Sequence, residues 1–162
     1  MTGRGHRFTG IGAGFMAAAI ARMAKAPEMI ELIAAVVALL STTMPDWIEI
    51  PFYRGGQRVG SLITHRTLTH WPPLWFALIA WGVHDGTVLG AIAIGSAVGS
   101  LVHILGDAPN PMGIPWILPH KRLRIGQKGL WKSGKYEVPL ILGFAVTGFG
   151  LWYLAGGKSL IH

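Results

Sequence analysis

Residues 87–106 read TVLGAIAIGSAVGSLVHILG, twenty positions without a single Lys, Arg, Asp or Glu. A run of that length can cross the roughly 30 Å hydrocarbon layer of a bilayer as a helix. Its small residues, Gly90, Ala91, Ala93, Gly95, Ala97, Gly99 and Ser100, keep that helix thin enough to pack closely on neighbours. Further apolar stretches cover about residues 8–24, 29–45, 72–83 and 138–157, with Pro27 marking a turn between the first two. The stretch 72–83 is short for a span, so it either gains length from preceding turns or enters as a re-entrant piece. Together these runs predict an all-α polytopic membrane bundle of about five hydrophobic helices. Two long basic loops lie on one side, and a single domain covers residues 1–162. With 51% hydrophobic residues, 13% charged residues and a mean hydropathy of +0.47, the composition excludes an ordinary soluble domain.

The net charge of +7 follows the same layout. Five spans put Arg4, Arg7, Arg54, Arg58, Arg66, Lys121, Arg122, Arg124, Lys128, Lys132 and Lys135 on one side, and only Arg22, Lys25 and Lys158 on the other. That bias predicts a cytoplasmic amino terminus and cytoplasmic long loops. Attraction to anionic headgroups accounts for the basicity and makes membrane lipids the expected partners, with a cytosolic protein as an alternative and nucleic acid disfavoured. Arg4 and Arg7 followed by an apolar run also resemble a secretory signal peptide, a rival reading of the first stretch. Five tryptophans, Trp47, Trp71, Trp75, Trp116 and Trp131, fall at the same face, where indole rings anchor helices at headgroup depth.

The chain has no cysteine, so a metal site would use imidazole and carboxylate ligands. On the five-span layout His6 precedes the first helix, Asp46 ends the second, His65 and His70 end the first basic loop, and His103 and Asp107 end the fourth helix. All six meet at one membrane face although they come from four parts of the chain. His103 and Asp107 are four apart, so a helix presents them on one face. Such a pair also makes an ordinary local hydrogen bond, but an ionisable pair at the edge of hydrocarbon points to function. His65 and His70, five apart around Arg66, suit two sites, or a ligand and a proton carrier, or a basic headgroup-binding loop. Asp46 after Met44-Pro45 also suits a helix cap. His84 and Asp85 fall on the opposite side, and His162 in the tail.

The ordered motifs Gly5-His6, Met44-Pro45-Asp46, His65-Arg66 with Thr69-His70, and His103-Ile104-Leu105-Gly106-Asp107 through Pro111-Met112-Gly113-Ile114-Pro115-Trp116 resemble one family. This is the LexA-binding, inner-membrane-associated hydrolases, described as membrane-bound and metal-dependent. The resemblance covers roughly residues 5–120. The order of histidines and aspartates is also similar, more distantly, to that of zinc-dependent phospholipase C. The family usually carries a second aspartate and a histidine after the first aspartate; here the chain reads Asp46-Trp47-Ile48-Glu49, with Glu49 as the nearest substitute. Thr64 and Trp71 stand where the family often has glycine and serine.

The resemblance implies an inner-membrane, metal-dependent hydrolase, and the expected substrate is a phosphoester, lipid or lipid-linked. His6, Asp46, His65, His70, His103 and Asp107 would hold a divalent metal, zinc first, with manganese or iron as alternatives. Glu49 is the expected general base, Arg66 the expected partner of a phosphate oxygen, and Asn110 the expected hydrogen-bond donor to substrate. Topology-setting or lipid binding is the alternative for Arg66, and turn stabilisation for Asn110. The competing classes are a non-catalytic membrane protein with a closed structural metal site, and a metal transporter.

Overall fold

A computed structural model describes residues 1–63, 67–118, 121–123, 134 and 137–157, apart from the side chain of Arg58. Among these residues the chain is mainly helical: α1 Gly3–Met23, α2 Glu28–Ser41, α3 Met44–Trp47, α4 Pro72–Asp85, α5 Val88–Asp107 and α6 Glu137–Leu154. Two helices, α5 and α6, are long and apolar enough to cross a membrane.

Helix α5 is the hub, packed against α1, α2 and α4, while α6 lies on the far side of α1. The core is built of small side chains, Ala13, Ala17 and Ala21 of α1 and Ala34 and Ala38 of α2 against Ala91, Ile94 and Val98 of α5. A Cβ at Gly95 would stand 2.6 Å from the Ala34 carbonyl oxygen, and one at Gly99 2.7 Å from that of Ala38. The glycines therefore set how near α2 comes, as in close-packed membrane helices. Helix α6 buries only Gly148 among its residues and exposes Val138, Leu142, Val146 and Leu154. An apolar face of that extent is foreign to a water-soluble monomer and suits lipid.

Helices α1 and α6 start at the same end of the bundle, where the Thr2 hydroxyl donates to Glu137 at 2.8 Å. At the other end Arg22 pairs with Glu31 at 2.8 Å and donates to the Gly156 carbonyl at 3.0 Å, tying α1, α2 and the end of α6 together. There too the Asp85 carboxylate accepts from the Thr87 hydroxyl and, at 3.0 Å, from Gly90 N–H, closing the first turn of α5.

Several boundaries differ from the sequence-based expectation. Helix α1 begins at Gly3 because Thr2 caps it, its hydroxyl accepting from Gly5 N–H at 3.2 Å, so His6 lies inside the helix and not ahead of it. The apolar stretch 29–45 is broken into α2 and a separate short α3. Pro45 has no N–H to continue the ladder, and α2 stops at Ser41. The polar segment that follows is not all loop. Strands β1 Pro51–Arg54 and β2 Gln57–Ser61 form a hairpin around Gly55-Gly56, both with positive φ, as a two-residue hairpin turn requires. A 3-10 turn, Leu68–His70, leads into α4, and a second small pair joins β3 Ile114–Pro115 to β4 Arg122–Leu123. Helix α4 gains its length at its end, taking in His84 and Asp85.

Gly99→Leu is expected to push α2 off α5 and to destabilise the bundle by about 1–3 kcal/mol, the usual range for overpacking. Gly143→Ala on α6, where a Cβ meets nothing within 4 Å, is expected to be neutral. Thermal melting of the two variants in the same detergent checks both.

Candidate metal centre

The break between α2 and α3 leaves the Thr42 carbonyl outside any helical ladder, and this orphan acceptor is where the site begins. His103 Nδ1 lies 2.7 Å from it. A carbonyl only accepts, so Nδ1 carries the proton and Nε2 presents a lone pair. His103 is fully buried, and its Nε2 has no hydrogen-bond partner among the described residues. It faces two carboxylates, Asp46 Oδ1 at 3.6 Å and Asp107 Oδ2 at 3.9 Å.

His70 repeats the arrangement from the 3-10 turn. The Thr69 hydroxyl donates to Glu49 Oε1 at 3.3 Å, so its oxygen is an acceptor for His70 Nδ1 at 3.0 Å. The Nε2 of His70 is thereby turned to Asp46 Oδ1, 3.5 Å away. Behind the ring, Glu49 Oε1 stands 3.5 Å from Nδ1, and Glu49 itself is fully buried. Ile50, the next residue, has φ of 47°. For a β-branched residue that left-handed conformation costs about 1–2 kcal/mol, and it turns the chain sharply from α3 into the hairpin.

Asp107 closes the cluster. Its Oδ1 accepts from the Met1 amino group at 2.7 Å and from Asn110 Nδ2 at 2.9 Å, which leaves Oδ2 turned towards His103. His6 Nε2 approaches Oδ1 at 3.4 Å, and the His6 ring stacks on His103 with centroids 3.8 Å apart.

Two triads result, His6 with His103 and Asp107, and Asp46 with His70 and His103. They share His103, whose single available nitrogen can bind one ion only, so an ion takes one triad and the remaining side chains stand beside it. The separations of 3.4–3.9 Å between ring nitrogens and carboxylate oxygens exceed hydrogen-bond lengths, so shared protons would serve them poorly. Metal–ligand distances of about 2.0–2.2 Å put neighbouring ligand atoms of a tetrahedral ion roughly 3.3–3.6 Å apart. The donor set and its spacing fit one divalent cation.

Of the six ligands expected from the sequence, the structure brings together His6, Asp46, His70, His103 and Asp107. His65 and Arg66 lie outside the described residues, as do His120, Trp131 and His162. Asn110 is buried with its amide on Asp107, so it orients a cluster carboxylate. Two contributors escaped the sequence reading. Thr42 acts through a backbone carbonyl that any residue would supply. Trp75, expected to anchor at headgroup depth, is instead buried, and its indole N–H donates to the Thr69 carbonyl at 2.9 Å, holding the turn that carries His70. The tryptophan lies on the inward face of α4, a position decided by how α4 packs.

A membrane protein with a buried His/Asp cluster at one end of its helices is the class that fold and site define. Residues 1–159 match the YdjM inner membrane protein family, and the chain belongs to that family. The apolar helices α5 and α6 agree with an inner-membrane location. No curated protein and no solved structure matches the chain.

Wild-type protein is expected to purify in detergent with one divalent metal per chain, and His103→Ala to lose it. Trp75→Phe keeps the ligands but frees Thr69 and is expected to weaken metal binding about 10–100-fold, as loss of an outer hydrogen bond does. Elemental analysis and chelator competition read both outcomes.

Proposed function

We propose that the chain is a metal-dependent hydrolase of phosphoesters, lipid or lipid-linked, acting at the cytoplasmic face of the inner membrane. The observation that carries this reading is the uneven exposure of the cluster. The side chains of His6, His70, His103 and Asp107 are buried, whereas that of Asp46 is 40% exposed. A catalytic metal site keeps one position open to water or substrate, and Asp46 marks the open side. The order of histidines and aspartates, similar to that of LexA-binding hydrolases and of zinc-dependent phospholipase C, supports the same class.

One of the two triads drawn from His6, Asp46, His70, His103 and Asp107 would hold the ion, with zinc favoured by its two imidazoles. A divalent ion held there would lower the pKa of water towards about 7 and offset charge on a phosphoryl oxygen. The protein's own residues do the rest. Thr42 fixes the His103 tautomer so that its Nε2 carries the lone pair, and the Thr69–Glu49 pair turns Nε2 of His70 towards Asp46. Glu49, the general base expected from the sequence, fits a positioning role better because it is buried behind His70. Asp46, whose Oδ1 faces the two histidines from a buried position while the rest of its side chain reaches solvent, would take a proton from an attacking water. Arg66, five residues after the hairpin and four before His70, retains its proposed part as partner of a phosphate oxygen.

The orientation belongs to the same proposal. Helices α1, α2, α4, α5 and α6 serve as five spans, and the cluster shares its end of the bundle with Arg4, Arg7 and the basic hairpin. The positive-inside bias supports a cytoplasmic place for that end. The burial of four cluster side chains also favours a second reading, a closed structural site that staples α1, α3 and α5 without turnover.

Asp46→Asn, assayed at saturating metal because Asp46 also belongs to the ligand set, is expected to lower phosphoester hydrolysis by about 10²-fold or more, the usual contribution of a proton-transfer group, with melting temperature less affected. Wild-type protein that holds metal but hydrolyses neither soluble phosphoesters nor phospholipids would leave the structural reading. A reporter inserted between Gly55 and Gly56 is expected to signal from the cytoplasm, and a periplasmic signal would reverse the orientation.

A further inference from the structure

The hairpin of β1 and β2 leaves the bundle directly at the cluster. Its ladder continues to the base, where Ile63 N–H donates to the Glu49 carbonyl at 3.2 Å and Leu62 N–H to that of Ile50 at 3.2 Å. Beyond this base the hairpin is bare. Every described residue from Phe52 to Gly60 is exposed, Phe52 at 51%, Val59 at 63% and Tyr53 at 65%. Two paired strands by themselves are marginally stable in water and hold best against a surface.

The residues left bare are of a particular kind. From Ile50 to His84 the chain has no Asp or Glu, while Arg54 and Arg58 flank the Gly55-Gly56 turn. The hairpin thus carries two arginines at its tip and two aromatic rings and a valine behind them, with no carboxylate in its own segment to offset the charge. Guanidinium groups beside aromatic rings suit the headgroup layer of a bilayer, where the charges meet lipid phosphates and the rings sit between water and hydrocarbon. Trp47, at the base of the hairpin one residue beyond Asp46, is 72% exposed as well. Addition of a strand from a protein partner is poorly served. Pro51 has no N–H to offer, and the register shifts between Phe52 and Tyr53, a bulge that interrupts the ladder.

We propose that the β1–β2 hairpin docks on the anionic surface of the bilayer, with Phe52, Tyr53 and Val59 in the headgroup layer and Arg54 and Arg58 on lipid phosphates. The five residues of β2 reach about 16 Å as extended chain, and the headgroup layer is about 5–8 Å thick. The hairpin therefore lies along the layer. Hairpin and cluster are joined without a linker, because Glu49, which closes the hairpin base, follows Asp46 by three residues. The depth of the hairpin thus sets the level of the cluster's open side. Docking needs only the membrane location of the chain, whether or not the cluster hydrolyses anything.

The chain has no cysteine, so Val59→Cys puts a single nitroxide on the hairpin, and Val146→Cys puts one on the outward face of α6 as a reference. The full chain is measured in nanodiscs of equimolar phosphatidylcholine and phosphatidylglycerol. Power saturation reads how often each label meets oxygen, which concentrates in bilayers, and a nickel chelate, which stays in water. At position 59 the ratio of oxygen to nickel collisions is expected to be high. Arg54→Glu with Arg58→Glu, and separately Phe52→Ser with Tyr53→Ser, are each expected to lower it several-fold, while position 146 stays constant and so reports an intact bundle. Discs of phosphatidylcholine alone are expected to lower it in the chain with both arginines. A low ratio at position 59 in the anionic discs would overturn the proposal and leave a cytosolic protein as the occupant. Low collision rates with both reagents would overturn it too, since the chain itself would then cover the hairpin. So would a high ratio unchanged by charge reversal or by loss of phosphatidylglycerol.

Discussion

His103 sits fully buried with Nδ1 2.7 Å from the carbonyl of Thr42, and this one hydrogen bond links the hub helix to the break at the end of α2. Neither half is stable alone in an apolar interior, since an unpaired imidazole N–H or carbonyl there costs about 1–3 kcal/mol. Joined, they fix the tautomer of His103 and aim its other nitrogen at Asp46 and Asp107. The close approach that permits the bond is made by Gly95 and Gly99, and the free carbonyl by the end of α2 at Ser41, which leaves Thr42 as its cap. Packing, helix termination and site chemistry thus meet in a single contact.

The surroundings are arranged to keep that geometry. Glu49 and Thr69 do for His70 what Thr42 does for His103, and Trp75 holds Thr69 through its carbonyl. Asn110 and the Met1 amino group occupy one oxygen of Asp107 and leave the other facing inward. Each of these groups is buried or nearly so, where low dielectric makes polar contacts strong and unpaired ones expensive. Asp46 is the exception. Its partial exposure gives the cluster a solvent side.

Hydropathy is a local property, so the long apolar runs, the turn at Pro27 and the grouping of basic residues could be read directly from the chain. The His103 and Asp107 pair was legible for the same reason, since four residues make about one helical turn. Helix ends were less legible. His6 lies inside α1 because of a cap at Thr2, and 29–45 divides at Thr42-Thr43 ahead of Pro45, details that an average over a long window hides.

What the sequence determined by itself was therefore the apolar helical character of the chain and the residue types available to bind a metal. Only the tertiary structure decided which of them meet, that Thr42 contributes a carbonyl, that Trp75 faces inward, and that Glu49 stands behind His70. Backbone groups carry no signature in an amino-acid string, and the direction of a side chain on an apolar helix depends on which neighbours its small residues admit. Convergence of α1, α3, the 3-10 turn and α5 on one point is a consequence of that packing.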